Sequence, residues 1–157
     1  RRNPASNPIM TGFAPFLALP GRDRRLLLHA LVTLIGVRVA LRFVPLDRLR
    51  HPAGRTRRCA RPADRVAWAV RAASRRLPGT TCLASALAAQ RLLSREGHVC
   101  ELTIGVARND RGFAAHAWVV CEGAILVGGE ESGGYAPLVA WSSDTPAAPG
   151  GAVRDRS

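Results

Sequence analysis

The segment spanning residues 78–118 constrains the fold more than any other part of the chain. It opens with a Pro-Gly turn and two threonines, and continues from Cys82 as a run rich in Ala and Leu that meets Gly97. Thr80 or Thr81 would be a good N-cap, and a glycine is typical just after a helix ends. Apolar residues recur at spacings of three and four, which predicts a helix over residues 82–96 with one apolar face.

The residues after this helix alternate as strands do. Residues 99–106 place apolar and polar side chains on opposite faces, a turn follows at 109–112, and residues 113–121 predict a second strand that carries His116. A tight turn at 122–123 and a short strand at 124–127 complete the pattern. These patterns predict an α+β fold, with the Cys-bearing helix packed on an antiparallel sheet and further helices on its N-terminal side.

Cys82 and His116 are the candidate catalytic residues. The first turn of a helix has free backbone N–H groups and a positive dipole end, which favour a thiolate and can hold a developing oxyanion. A histidine on a neighbouring strand can serve as the base of a Cys–His pair. From composition alone, the alternative is that neither residue is catalytic. Cys82 would then be a small core residue, and His116 a core residue with satisfied hydrogen bonds or a polar surface residue.

Three segments carry a resemblance to a known family: T-C-L-A-S-A-L-A-A-Q-R-L-L-S-R-E-G, L-T-I-G-V and G-F-A-A-H-A-W-V-V-C-E-G. They resemble the lasso-peptide biosynthesis B2 proteins, which are stand-alone leader peptidases of the transglutaminase-like branch of papain-like folds. The similarity covers about residues 78–128, with a weaker match at 17–50. It implies that Cys82 is the nucleophile and His116 the general base.

The sequence departs from this family at the third catalytic position. The family has an Asp about a dozen residues after the histidine, where this chain has Gly128. We predict that Glu130 takes the role, because a glutamate can orient an imidazole as an aspartate does. Glu131, a backbone carbonyl or an empty third position are the alternatives.

The resemblance implies a cysteine peptidase that cuts a ribosomally made lasso precursor between leader and core. Its partners would be the precursor peptide, a B1-type leader-recognition protein and an ATP-dependent cyclase that closes the macrolactam. No metal or organic cofactor is needed for this chemistry. Two alternatives stay open: an acyl transferase of the same fold, and a non-catalytic scaffold that binds leader peptide or cyclase.

The charge of the chain is uneven. Residues 1–76 contain 17 Arg and 3 Asp, whereas residues 77–157 contain 6 Arg and 8 acidic residues. The chain has no Lys, so the arginines indicate a coding bias as much as selection, and no nucleic-acid-binding motif is present. We therefore expect an acidic peptide or protein partner and not nucleic acid.

The chain divides into four predicted parts, and 157 residues suffice for one domain core. Residues 1–16 are a disordered or non-native leader with translation starting at Met10, 17–61 a basic amphipathic helix and connector, 62–140 the peptidase core, and 141–157 a disordered tail. The helix is predicted at residues 23–44. Its uncharged run of 12 residues is short of the roughly 20 needed to span a membrane, so we expect packing on the domain or a partner, with a membrane-surface helix as the alternative.

A second helix is predicted at residues 64–77. Its Arg-rich face and Trp68 would border the cleft, although core packing is the more common reason for such a tryptophan. The four cysteines form no zinc-binding spacing. Because no secretion signal is found, we expect a cytoplasmic protein with reduced thiols, in which Cys100 and Cys121 are buried on neighbouring strands.

Overall fold

The computed structural model describes residues 19–49, 61–109, 112–129 and 133–143. Within these residues four helices precede four strands, and the prediction of an α+β fold with helices on the N-terminal side of the sheet is confirmed. The elements are α1 (Gly21–Phe43), α2 (Leu46–Leu49), α3 (Ala63–Arg76), α4 (Cys82–Arg95), β1 (Cys100–Asn109), β2 (Gly112–Cys121), β3 (Ala124–Val127) and β4 (Ala136–Ser142).

The four strands form one antiparallel sheet in the order β3-β2-β1-β4. β1 and β2 pair along their whole length, from Cys100 opposite Cys121 to Asn109 opposite Gly112. The turn into β3 places Glu122 and Gly123 at φ values of 52° and 81°. Two successive positive φ values suit a two-residue hairpin turn, because their twist matches that of the flanking strands.

Helix α4 has the caps that its sequence predicts. The Thr81 side chain accepts a hydrogen bond from the Ala84 N–H at 3.2 Å, which makes Thr81 the N-cap. At the other end, Gly97 adopts φ 92° and the His98 N–H reaches the Leu93 carbonyl. This closing arrangement is a Schellman motif, and it ends the helix at Arg95, one residue before the predicted end.

Small side chains let α4 pack closely in the centre of the domain. Its alanines are buried together with Leu87, Leu92 and Leu93, against core residues of β1 and β2 such as Leu102 and Val119. Fully burying an aliphatic side chain contributes roughly 1.5–3 kcal/mol, so these contacts hold helix and sheet together. The N-terminus of α4, where Cys82 lies, is thereby fixed relative to the sheet.

Helix α1 spans 23 residues and contributes one face to the same core. Its buried residues are Leu26, Leu27, Ala30, Leu34 and Val37, and it contacts α3 and α4. A second apolar stripe on this helix is exposed and comprises Leu28, Val32, Ile35, Val39 and Phe43. The helix is long and apolar enough to cross a membrane by length and composition alone, which the 12-residue uncharged run did not suggest.

Strand β4 closes the other edge of the sheet and continues two residues into the segment predicted as a tail. Ser143 follows it and forms two hydrogen bonds with the first residue of β1. Its backbone N–H donates to the Cys100 carbonyl at 2.8 Å, and its hydroxyl oxygen accepts from the Cys100 N–H at 3.0 Å. The predicted disordered leader, residues 1–16, lies outside the described residues. The predicted division of the chain near residue 61 stays a prediction, since residues 50–60 are also outside them.

Candidate active site

An open cavity of about 830 Å³ lies where the N-terminus of α4 meets β2 and β3. Both sequence-predicted residues of the Cys–His pair line it, although 34 positions separate them in the chain. Its described lining residues are Arg71, Ser74, Arg75, Thr80, Thr81, Cys82, Ser85, His116, Ala117, Ile125, Leu126, Val127, Gly128 and Gly129. The fold therefore brings a thiol and an imidazole to one solvent-accessible place.

Cys82 is the first residue of α4 and is half-buried. The turn before it is fixed from two sides, since the Arg38 guanidinium donates to the Pro78 carbonyl at 3.0 Å and the Thr80 hydroxyl donates to the Leu77 carbonyl at 2.7 Å. The Ala84 N–H is already used, because it donates to the Thr81 hydroxyl oxygen. Within the described residues, the N–H groups of Cys82 and Leu83 make no hydrogen bond to the protein, so they are available to an oxyanion.

His116 lies on β2 with only 8% of its surface exposed. Its Nε2 lies 2.8 Å from the carbonyl oxygen of Gly128. A carbonyl oxygen only accepts hydrogen bonds, so Nε2 carries the proton, and in the neutral ring Nδ1 is then the nitrogen without a proton. This tautomer is the one in which the second ring nitrogen can accept a proton from a thiol.

Gly128 occupies a backbone conformation that a side chain would not tolerate. Its φ is 81°, and a Cβ at this position would come within 2.7 Å of the Ala117 carbonyl oxygen and 3.0 Å of the Trp118 Cβ. The position at which the resembled family has an aspartate therefore presents a main-chain carbonyl instead. This was one of the open alternatives for the third position, and the structure shows such a carbonyl hydrogen-bonded to His116.

Two aromatic rings flank the imidazole. The Trp118 ring stacks at 6.1 Å between centroids, and the Tyr135 ring lies at 5.3 Å. Sequence reasoning missed both. The signal for Trp118 was present, because residues two apart on a strand point to the same face. Tyr135 precedes β4 and lies 19 positions from His116, so only the sheet topology reveals its place.

Comparison with known proteins agrees with this geometry. The sequence model of the transglutaminase-like superfamily matches residues 26–140. The chain belongs to the transglutaminase-like superfamily. No curated protein and no solved structure gives a significant match. Cysteine peptidases and acyl transferases are typical of this superfamily, so peptidase-like or acyltransferase-like chemistry is the class of activity that the transglutaminase-like domain indicates.

The matched region begins within α1, and helix α3 supplies a wall of the cavity in this transglutaminase-like domain. The Arg71 guanidinium donates to the Leu126 carbonyl of β3, and the Ser74 hydroxyl lies 2.9 Å from the Ser85 hydroxyl of α4. The predicted Arg-rich face of this helix thus borders the cavity. Trp68 is not among the cavity's lining residues; it packs against the hydrophobic core, with the Arg65 guanidinium over its ring.

The other two cysteines among the described residues have different surroundings. Cys100 and Cys121 face each other on β1 and β2 and are almost fully buried, in agreement with the predicted burial. Their Sγ atoms lie 2.6 Å apart and are not joined by a disulfide bond. Burial raises the pKa of the Cys100 thiol well above its ordinary value, and the adjacent Cys121 raises it further. Of the three cysteines in the described residues, Cys82 alone lines the cavity.

Glu130 and Glu131 lie outside the described residues, so the assignment of Glu130 to the catalytic set stays a prediction. Across the described segments, His, Cys, Asp and Glu side chains do not gather in groups of three that could hold a metal ion.

Proposed function

We propose that this protein is a cysteine peptidase that removes the leader from a ribosomally made lasso precursor peptide. One observation carries the proposal: Cys82, at the N-terminus of α4, and His116 line the same cavity. The sequence resemblance to the lasso B2 proteins supports the substrate class. The superfamily match supports chemistry at a cysteine.

The proposed mechanism uses the tautomer that Gly128 favours. His116 Nδ1 takes the proton of the Cys82 thiol, and the thiolate attacks the carbonyl carbon of the scissile peptide bond. The backbone N–H groups of Cys82 and Leu83 stabilise the resulting oxyanion. The protonated imidazole then gives its proton to the leaving amine. A water molecule activated by His116 next hydrolyses the thioester, which releases the leader with a free carboxylate and regenerates the thiol.

A carbonyl in place of a carboxylate is expected to lower the turnover rate of the proposed peptidase. Both groups hold the imidazole in the required tautomer, but only a carboxylate carries a full charge that stabilises the imidazolium. We expect turnover to be slower than it would be with an aspartate in that role, unless Glu130 supplies the charge.

The proposal includes partners and location. A B1-type protein would present the leader, the cyclase would consume the released core peptide, and all three proteins would act in the cytoplasm. The basic N-terminal half, with 17 Arg against 3 Asp in residues 1–76, supports acidic partners.

The test is mass spectrometry of a cognate precursor incubated with this protein and its leader-binding partner. Wild type is compared with Cys82→Ala, His116→Ala and Glu130→Gln. Leader release by wild type that is lost in both Cys82→Ala and His116→Ala supports the peptidase, and reduced release by Glu130→Gln supports a role for that carboxylate.

Two outcomes would replace the proposal. A product heavier by the mass of an added amine acceptor, at the expense of the hydrolysed product, would identify an acyl transferase. Binding of leader or cyclase with no cleavage by wild type would identify a scaffold.

A further inference from the structure

The cavity that holds Cys82 is lined by two arginines of one helix face. Arg71 and Arg75 lie four residues apart on α3, so their side chains leave the helix on the same side. None of the cavity's described lining residues is an Asp or a Glu. The cavity next to the thiol therefore carries an unbalanced positive charge within the described part of the chain.

The two guanidinium groups are held differently. Arg71 donates to the Leu126 carbonyl through one N–H group, which anchors the guanidinium to β3, and a guanidinium has five N–H donors in all. Arg75 is exposed, and the ion pairs found among the described residues are Arg61 with Glu96 and Arg65 with Asp23. Arg75 has no such partner in that part of the structure. The cavity is thus lined by one guanidinium held by a hydrogen bond, Arg71, and one without an ion-pair partner among the described residues, Arg75.

A carboxylate is the group that this arrangement fits. Guanidinium groups bind carboxylates through two parallel N–H···O bonds, which are stronger than bonds between neutral groups. The hydroxyls of Ser74 and Ser85 add polar neighbours on the same wall. We propose that Arg71 and Arg75 form a carboxylate-binding subsite beside Cys82, and that it accepts an Asp or Glu side chain close to the bond that is cut. The peptide part of this inference rests on the proposed function, whereas the subsite itself does not.

The subsite can be tested without any peptide. Iodoacetate and iodoacetamide both react with a thiolate sulfur through their CH₂–I carbon. Iodoacetate carries a carboxylate on that carbon, whereas iodoacetamide carries a neutral amide. We compare their rate constants at Cys82 by mass spectrometry of the peptide that contains it. The ratio of the iodoacetate rate to the iodoacetamide rate is expected to fall about fivefold in Arg75→Gln and further in Arg75→Glu. Arg75→Lys should restore most of the ratio.

The matched control is Arg76→Gln. Arg76 is the next residue of the same helix and has the same charge, but its guanidinium bonds the Ala72 carbonyl of its own helix and does not line the cavity. This variant should keep the wild-type ratio. In wild type, 1 M salt should lower the ratio, because exposed charges are screened over about 3 Å at that ionic strength. An Arg75→Gln ratio equal to that of Arg76→Gln would overturn the subsite.

The peptide part has a separate readout. In the cleavage assay, Asp and Glu residues that flank the cut site of the precursor are replaced by Asn and Gln. A lower kcat/KM for the substituted peptide with wild type, and no difference with Arg75→Gln, supports the inference. Equal kcat/KM values with wild type would overturn it while leaving the peptidase standing. No cleavage of either peptide would overturn the peptidase and with it the peptide half of the inference, and the alkylation ratios would still decide the subsite.

Discussion

The Nε2 atom of His116 lies 2.8 Å from the carbonyl oxygen of Gly128. This contact joins β2 to the end of β3, and it makes Nδ1 the basic nitrogen of the neutral ring. It exists because residue 128 is a glycine, whose φ of 81° turns its carbonyl toward the imidazole and whose missing Cβ avoids the Ala117 carbonyl. Among the described residues, a main-chain carbonyl is thus the hydrogen-bond partner of Nε2.

Gly128→Ala should destabilise the domain and reduce any activity that depends on His116. The new Cβ meets the Ala117 oxygen at 2.7 Å in addition to the strain of a positive φ. We expect a loss of about 3 kcal/mol in the free energy of unfolding, from roughly 1–2 kcal/mol of conformational strain and a further overpacking cost. Urea unfolding measures it.

Gly123→Ala is the matched control for this prediction. Gly123 has the same φ of 81°, but a Cβ there would meet no atom within 4 Å. It should lose only the roughly 1–2 kcal/mol of conformational strain. If both variants lost the same free energy, the close contact at Gly128 would not exist.

Among the cysteines of the described residues, Cys82 should be alkylated first by iodoacetamide in the folded protein. It is half-buried and lines the cavity, whereas Cys100 and Cys121 are 1% and 3% exposed. Reaction requires an accessible thiolate, so the buried pair should react only after unfolding in urea. Peptide mass mapping after a short exposure measures this. Early modification of Cys100 or Cys121 in the folded protein would contradict their burial in the core between the sheet and the helices.

Alkaline pH should weaken the fold through Cys100. Its pKa is raised in the folded protein because burial penalises the thiolate. The folded state therefore keeps a proton that the unfolded state gives up above the ordinary thiol pKa of 9.0. The stabilising contribution is complete below that pH and declines as the pH rises beyond it.

The measurement is the urea midpoint under reducing conditions at pH 7.5 and pH 10. Wild type and Cys82→Ala should both lose stability between these pH values, and Cys100→Ala should lose less. An equal decline in Cys100→Ala would show that another group is responsible.

Leu34→Ala should cost far more stability than Leu28→Ala, although both lie on α1. Leu34 is fully buried in the core, whereas Leu28 is 49% exposed on the other face. Loss of a buried leucine costs about 3–4 kcal/mol, and a surface substitution changes stability by about 0.5 kcal/mol or less. Paired urea titrations measure the difference. Similar small losses in both variants would mean that α1 is not part of the folding unit in solution.

Local sequence patterns were enough to predict α4, β2 and the fold class. The Thr81 cap, the Gly97 stop and the spacing of apolar residues predicted α4 and put Cys82 in its first turn, because capping and helical periodicity act within a few residues. The strand-like run around His116, between two predicted turns, likewise predicted β2. The α+β class followed from the order of these elements, since an amphipathic helix and a half-apolar sheet must cover each other.

Only the tertiary structure decided what surrounds the two candidate residues. The Gly128 carbonyl, the Tyr135 ring and the arginines of α3 come from three separate parts of the chain, and the fold brings them around the two candidate residues. Their distances depend on strand register, hairpin geometry and helix packing, which no pattern of neighbouring residues specifies. The third position shows the reason most clearly: the sequence places a glycine at residue 128, and the fold turns its carbonyl toward His116.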